Sequence, residues 1–166
     1  HTWAYCLAEW DLDLFASGRM RQLADYVIGI CDSTGLASGF GDSGISRNPT
    51  LIQEVLPVAF WYYRDPGYLW VRQHVTNGQW ANPFHLDVPP KQDDRHCGIR
   101  VFPLDPQLYE YTRLHPYYNE PTSPPNVPLE NAFDKIVFRE SWDPKSQYLV
   151  LDGFSRGKHL HYDANA

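Results

Sequence analysis

Apolar residues recur at three- and four-residue spacing through the first third of the chain. Trp3, Cys6, Leu7, Trp10 and Leu14 predict an amphipathic helix over about residues 2–17, with Gly18 as its stop. Met20, Leu23, Val27, Ile30 and Cys31 repeat the pattern and end before Gly35, and the short connection predicts an antiparallel helical hairpin. A third helix is predicted from Thr50 to Tyr63. Pro49 lies in the region of its first turn, Leu51, Val55, Ala59 and Tyr62 face inward, and Pro57 kinks it. Asp65-Pro66-Gly67 breaks that helix, and residues 68–76 predict a short fourth one.

The periodicity then disappears. Ten of the fourteen prolines lie between Pro83 and Pro128, which predicts a long irregular connection without regular helix or central strand. Phe84, Val101, Phe102, Leu104, Leu108, Tyr117 and Tyr118 argue that it packs on something. His85, His96 and His115 lack ligand spacing and are read as surface or hydrogen-bonded residues. After Pro128 the period becomes two. Residues 133–139 predict a strand, residues 141–146 a turn, and residues 148–151 its antiparallel partner. A third strand follows the loop 153–157. On it His159, His161, Asp163 and Asn165 share one face, with Leu160, Tyr162 and Ala164 on the other.

The His159-to-Asn165 row is the strongest candidate chemistry. A neutral imidazole is a common metal ligand and a usual acid or base near neutral pH, and a nearby carboxylate can orient it. The alternative is a polar, solvated face of an edge strand. The glycine-rich stretch Gly35 to Gly44 has neither a preceding strand nor the Lys-Ser/Thr ending of a phosphate cradle, so it is read as a turn that sets Asp42 and Ser43 beside a cleft.

The length of 166 residues fits one domain, and 43% hydrophobic with 15% aromatic residues can bury a core. The net charge of -6, without any run of Lys or Arg, argues against nucleic acid and anionic membranes as partners. No stretch approaches a membrane span of about 20 apolar residues. Cys6, Cys31 and Cys97 form neither a disulfide framework nor a thiolate metal site. A Cys6–Cys31 bridge and two buried thiols both fit, with the thiols preferred. The chain opens inside a helical pattern and no turn follows Ala166, which predicts a piece of a larger protein.

Phe40-Gly41-Asp42-Ser43 is followed by Phe138-Arg139-x-x-Trp142-Asp143, an apolar strand, and Gly157-x-His159-x-His161-x-Asp163-x-Asn165. This order resembles the heparinase II/III-like polysaccharide lyases. The likeness covers the whole chain in organisation, and its motifs concentrate in about residues 133–166. It implies an α+β chain: the end of an incomplete (α/α) toroid over 1–82, the connection over 83–130, and the first antiparallel strands of a β-sandwich over 131–166. The catalytic cleft would lie between toroid and sandwich.

The resemblance further implies cleavage of an acidic, uronate-containing polysaccharide by β-elimination. His159 or His161 matches the family's cleft-facing histidine, which acts as an active-site residue or as a ligand of a bound metal. His159, His161 and Asp163 are the candidate ligands, for zinc or calcium. Asp42, Arg139 and Asn165 are the candidate substrate contacts, although a charge beside a strand is the commoner role for Arg139. The family's catalytic Tyr precedes a helix His and would fall just before His1, leaving Tyr5 as a substitute whose core or cleft-wall role is favoured. The chain alone is therefore not expected to be a competent lyase. A bacterial periplasmic or secreted location is implied by resemblance alone. Two other readings remain beside this one: a metal-dependent hydrolase, since His-x-His on a strand also opens amidohydrolase sites, and a non-catalytic carbohydrate-binding module.

Overall fold

A computed structural model of the chain describes residues 13–37, 50–78, 88–107, 109–110 and 128–153. Helices α1 (Asp13–Ala16), α2 (Arg19–Gly29), α3 (Thr50–Tyr63) and α4 (Pro66–Val75) come first. Strands β1 (Gly98–Pro103), β2 (Phe133–Arg139) and β3 (Tyr148–Asp152) follow, with a single 3-10 turn at Leu129–Asn131 leading into β2. The chain is thus mixed α+β, as the change of period predicts. Of the first predicted helix only α1 falls among the described residues.

Local chemistry sets the helix ends. Gly18 holds a left-handed conformation (φ 81°) that other residues adopt only with strain, and α2 starts directly after it. At α4 the Asp65 carboxylate accepts the Gly67 N–H at 3.0 Å, and Pro66 occupies the first turn, where its missing N–H costs nothing. The helix therefore begins two residues earlier than its apolar pattern indicates.

The helices bury one another through aliphatic stripes. Met20, Ala24, Val27 and Ile28 of α2 meet Ile52, Val55, Leu56, Ala59 and Phe60 of α3, and Tyr68, Leu69 and Val71 of α4 close the cluster. Tyr62, expected inside, is 38% exposed. The stripe through residues 52, 56, 59 and 60 continues to Tyr63, whose hydroxyl donates to the Phe15 carbonyl at 2.8 Å, and that leaves Tyr62 on the rim.

The sheet has the order β1-β2-β3 with antiparallel pairing throughout. The predicted hairpin of β2 and β3 is present. β1 is a difference, because it lies inside the stretch read as irregular. It is an edge strand among the described residues and Pro103 is its last residue, the setting in which a missing N–H is tolerated.

Register divides the sheet into two unlike faces. Ile99, Phe138 and Leu149 form one cross-strand row, and Val101, Ile136 and Leu151 the next. These six apolar residues point away from the helices; Ile99 is 73% exposed, Val101 58% and Leu149 48%. The opposite face carries Phe102, Lys135, Val137, Arg139, Tyr148, Val150 and Asp152 and packs toward α2. A Cβ on Gly29 would stand 2.6 Å from the Phe102 ring, so this helix end approaches the sheet closely because residue 29 is glycine.

Candidate functional site

Most of the predicted site falls outside the described residues. Tyr5, Asp42, His159, His161, Asp163 and Asn165 are all there, and so is Cys6. Cys31 is a free, buried thiol whose pKa burial pushes up to about 12.

Arg139, proposed from sequence as a substrate contact, is only 1% exposed. Its guanidinium donates to the Ile28 carbonyl at 2.9 Å, to the Cys31 carbonyl, and to Ser33 Oγ at 3.2 Å. Tyr148 adds a bond from its hydroxyl to the Gly29 carbonyl at 2.7 Å. Carbonyls at a helix C-terminus lack intrahelical donors and carry partial negative charge, so a buried cation placed there satisfies both needs. The Trp142 ring lies 3.9 Å from the guanidinium carbon and closes the site from the other side. The Phe138-Arg139-x-x-Trp142-Asp143 motif thus fastens the hairpin to the end of α2. Asp143 completes it by accepting the Lys145 N–H at 2.8 Å in the turn. This geometry turns Arg139 away from any ligand, which corrects the substrate-contact expectation.

A second polar cluster joins α2, α4 and the chain before β1. His96 is buried, with Nδ1 2.6 Å from Asp93 Oδ2 and Nε2 3.2 Å from Asp25 Oδ1. Asp25 also accepts the Tyr68 hydroxyl at 3.0 Å, and Arg95 links Asp93 at 3.1 Å to Asp65 at 2.6 Å. Burial alone would raise the Asp93 pKa, but the bonds from His96 and Arg95 outweigh it and hold the carboxyl well below the usual carboxylate range. Asp25 is lowered by the same balance, burial opposed by His96 first and Tyr68 and Arg100 after it. Burial and the Asp25 carboxylate push the Tyr68 phenol up. Asp65, Lys91, Asp93, Asp94 and Arg95 line an open cleft of about 450 Å³ beside the cluster. With both ring nitrogens occupied, His96 is a strut, in keeping with its reading as a hydrogen-bonded residue. Sequence shows Asp93 and His96 three residues apart; the partner Asp25, 71 residues away, has no local signal.

The last polar group lies at the end of β3. Lys135 Nζ donates to Asp152 Oδ1 at 2.8 Å and to Asp134 Oδ1 at 2.7 Å. Successive residues reach one ammonium because the β1–β2 register shifts between Phe102 and Pro103, pairing them with Lys135 and Phe133 and leaving Asp134 over. Tyr26 of α2 borders the group; burial, with the Asp134 charge next, pushes its phenol up to about 12. Asp152 has a side chain only 1% exposed, and its Oδ2 has no hydrogen-bond partner among the described residues. Gly153 follows, donating its N–H to the Asp134 carbonyl at 2.9 Å, and a side chain there would collide with the Phe133 ring.

Among the described residues no group of three His, Cys, Asp or Glu side chains is placed to hold a metal ion, and no helix is long and apolar enough to cross a membrane. No protein-family model, curated protein or solved structure matches the chain at a significant level.

Proposed function

We propose that this chain forms part of a polysaccharide lyase that cleaves uronate-containing polysaccharides by β-elimination, spanning the end of a helical toroid and the opening strands of a β-sandwich. The observation that carries the reading is the junction of hairpin and histidine row. The Phe138-to-Asp143 motif binds an antiparallel hairpin to a helical layer, and in the sequence Gly157-x-His159-x-His161-x-Asp163-x-Asn165 follows β3. The six apolar residues on the outward face of the sheet also support a second layer there, as a sandwich requires.

The reaction needs no water. A base removes the C5 proton of the uronate, the electron pair passes through an enolate-like intermediate to form the C4–C5 double bond, and the C4–O bond breaks. The departing oxygen takes a proton from an acid. The C5 proton is weakly acidic, so donors arranged around the developing enolate carry most of the catalysis. In this reading His159 or His161 stands at the reacting carbons, and Asn165 and Asp42 contact the sugar. Tyr5 is the phenolic candidate within the chain. A zinc or calcium ion held by His159, His161 and Asp163 would serve to neutralise the uronate carboxylate.

The test follows ultraviolet absorbance from the new double bond while the protein containing this chain is incubated with heparan-, chondroitin- and alginate-type polysaccharides. Absorbance growth that a His159→Ala/His161→Ala double variant loses is expected. No chromophore with any uronate polymer would overturn the reading, and new reducing ends or released amide products in its place would favour the hydrolase.

A further inference from the structure

Where the end of α4 meets the hairpin, the molecule carries a cleft of about 770 Å³, within the roughly 300–1,000 Å³ usual for small-molecule sites. Its walls are the turn at Thr34, the end of α4 with Gln73, His74, Val75 and Asn77, and Pro144 of the turn between β2 and β3. Among the described residues no Asp, Glu, Lys or Arg lines it.

The polar groups on these walls are held from behind. His74 Nε2 lies 3.0 Å from the Ser33 carbonyl, which can only accept, so Nε2 carries the proton. In the neutral ring Nδ1 is then an acceptor. The imidazole stacks on Trp70 with ring centres 4.8 Å apart at 12°, and Trp142 meets it nearly at right angles at 5.6 Å. Thr34 is fixed by its N–H and its hydroxyl, both donated to Asp32 Oδ1 at 2.8 Å, so the hydroxyl oxygen keeps its capacity to accept. The Gly78 N–H reaches back to the Gln73 carbonyl at 2.7 Å and turns the chain through Asn77, whose φ of 53° is a conformation that Asn tolerates better than most residues. Among the described residues His74 Nδ1 and the side-chain amides of Gln73 and Asn77 make no hydrogen bond.

Two amides, an imidazole nitrogen and a hydroxyl thus offer donors and acceptors in one place without charge. Such a wall leaves an ionic ligand without a counter-charge, and it matches a neutral ligand that itself both donates and accepts, as sugar hydroxyls do. Val75 and Pro144 add apolar surface for the C–H face of a sugar ring. Because His74 and Thr34 are ordered before any ligand arrives, little further entropy is lost on binding. We infer that this cleft binds a neutral sugar residue, with His74 Nδ1 and the Thr34 hydroxyl oxygen accepting sugar O–H groups while Gln73 and Asn77 donate and accept. The site goes beyond the lyase reading, whose reacting sugar carries a carboxylate, and it stands or falls separately.

The test titrates the isotope-labelled protein containing this chain with cellohexaose, mannohexaose, xylohexaose and chitohexaose as neutral probes, and with oligogalacturonate of the same length as the charged one. At least one neutral oligomer should bind with a micromolar to millimolar Kd and shift the His74 ring resonances in NMR. Gln73→Ala and Asn77→Gly, the second suited to the left-handed backbone, should each weaken that binding about tenfold in calorimetry and leave any oligogalacturonate binding unchanged. The inference is overturned if no neutral oligomer binds, or if one binds and the His74 ring resonances of the wild type stay where they were. It is equally overturned if a double variant with wild-type urea unfolding binds the neutral oligomer as before, or if the variants weaken oligogalacturonate as much as the neutral sugar.

Discussion

The helical layer and the sheet bury opposite kinds of residue. Between the helices lie Met20, Val27, Ile28, Ile52, Leu56 and Phe60, each at most 1% exposed, while the face that the sheet turns toward α2 buries Lys135, Arg139 and Asp152. Val137 and Val150 are buried between these charges, while six further apolar residues of the sheet point the other way, and Ile99 is 73% exposed. The helices cohere by surface removed from water, whereas the seam coheres because each buried charge meets a specific group: Arg139 the carbonyls ending α2, Lys135 its two carboxylates. Loss of one partner in such a seam strands the other in a poorly solvating interior. The contrast teaches that the helical layer depends on buried area and the seam on the pairing of individual charges.

Substitutions can break this contrast in order of size. Phe60→Ala empties the helical core and costs about 3–5 kcal/mol in urea unfolding, since the surrounding helices collapse only partly into the space. Arg139→Met keeps the bulk but leaves the Ile28 and Cys31 carbonyls without their donor; about 3 kcal/mol is expected, and Arg139→Lys recovers little because an ammonium lacks the planar fork. An Arg139→Met protein as stable as the wild type would show the seam to be held by packing alone.

His96→Gln costs about 2 kcal/mol at neutral pH and changes the acid response. Asp93 and Asp25 have folded pKa values below their unfolded ones, so their stabilisation is complete above the unfolded value of about 3.9 and is lost as pH falls below it. Unfolding measured from pH 6 downward should fall steeply below about pH 4 in the wild type and less steeply in the variant. At the alkaline end Tyr26 titrates near 12, so the neutral phenol stabilises the fold below about pH 10 and that contribution is lost between about 10 and 12. Tyr26→Phe should flatten this loss in a pH-dependent melt. The smallest effect belongs to the outer face. Ile99→Thr should change the stability of this chain by no more than about 0.5 kcal/mol, because it removes little buried surface. A cost of several kcal/mol in a longer protein, absent from this chain alone, would mark the second layer of a sandwich over this face.

The helices were legible because their core obeys one rule. Thr50–Tyr63 has the predicted bounds, and Tyr62 was misplaced only because the inward stripe continues to Tyr63. β1 was hidden by the proline density around it, and by an alternation that puts apolar residues outside. The distant partners of Arg139 and His96 were not legible. They lie 106–111 and 71 residues away, and a charge on a strand reads alike whether it meets a ligand or a helix end. The Arg-x-x-Trp spacing was visible, and its meaning came only with the guanidinium lying over the indole.

The most direct measurement of the central claim is the mass of the products formed from a uronate polymer in water enriched in heavy oxygen. Elimination breaks the C4–O bond without solvent, so of the two new ends of each cut the unsaturated non-reducing one should be lighter than its hydrolytic counterpart by one water, and borohydride-trapped reducing ends should carry no heavy oxygen from the cleavage. Products that gain a water and take up the heavy oxygen would contradict the lyase account.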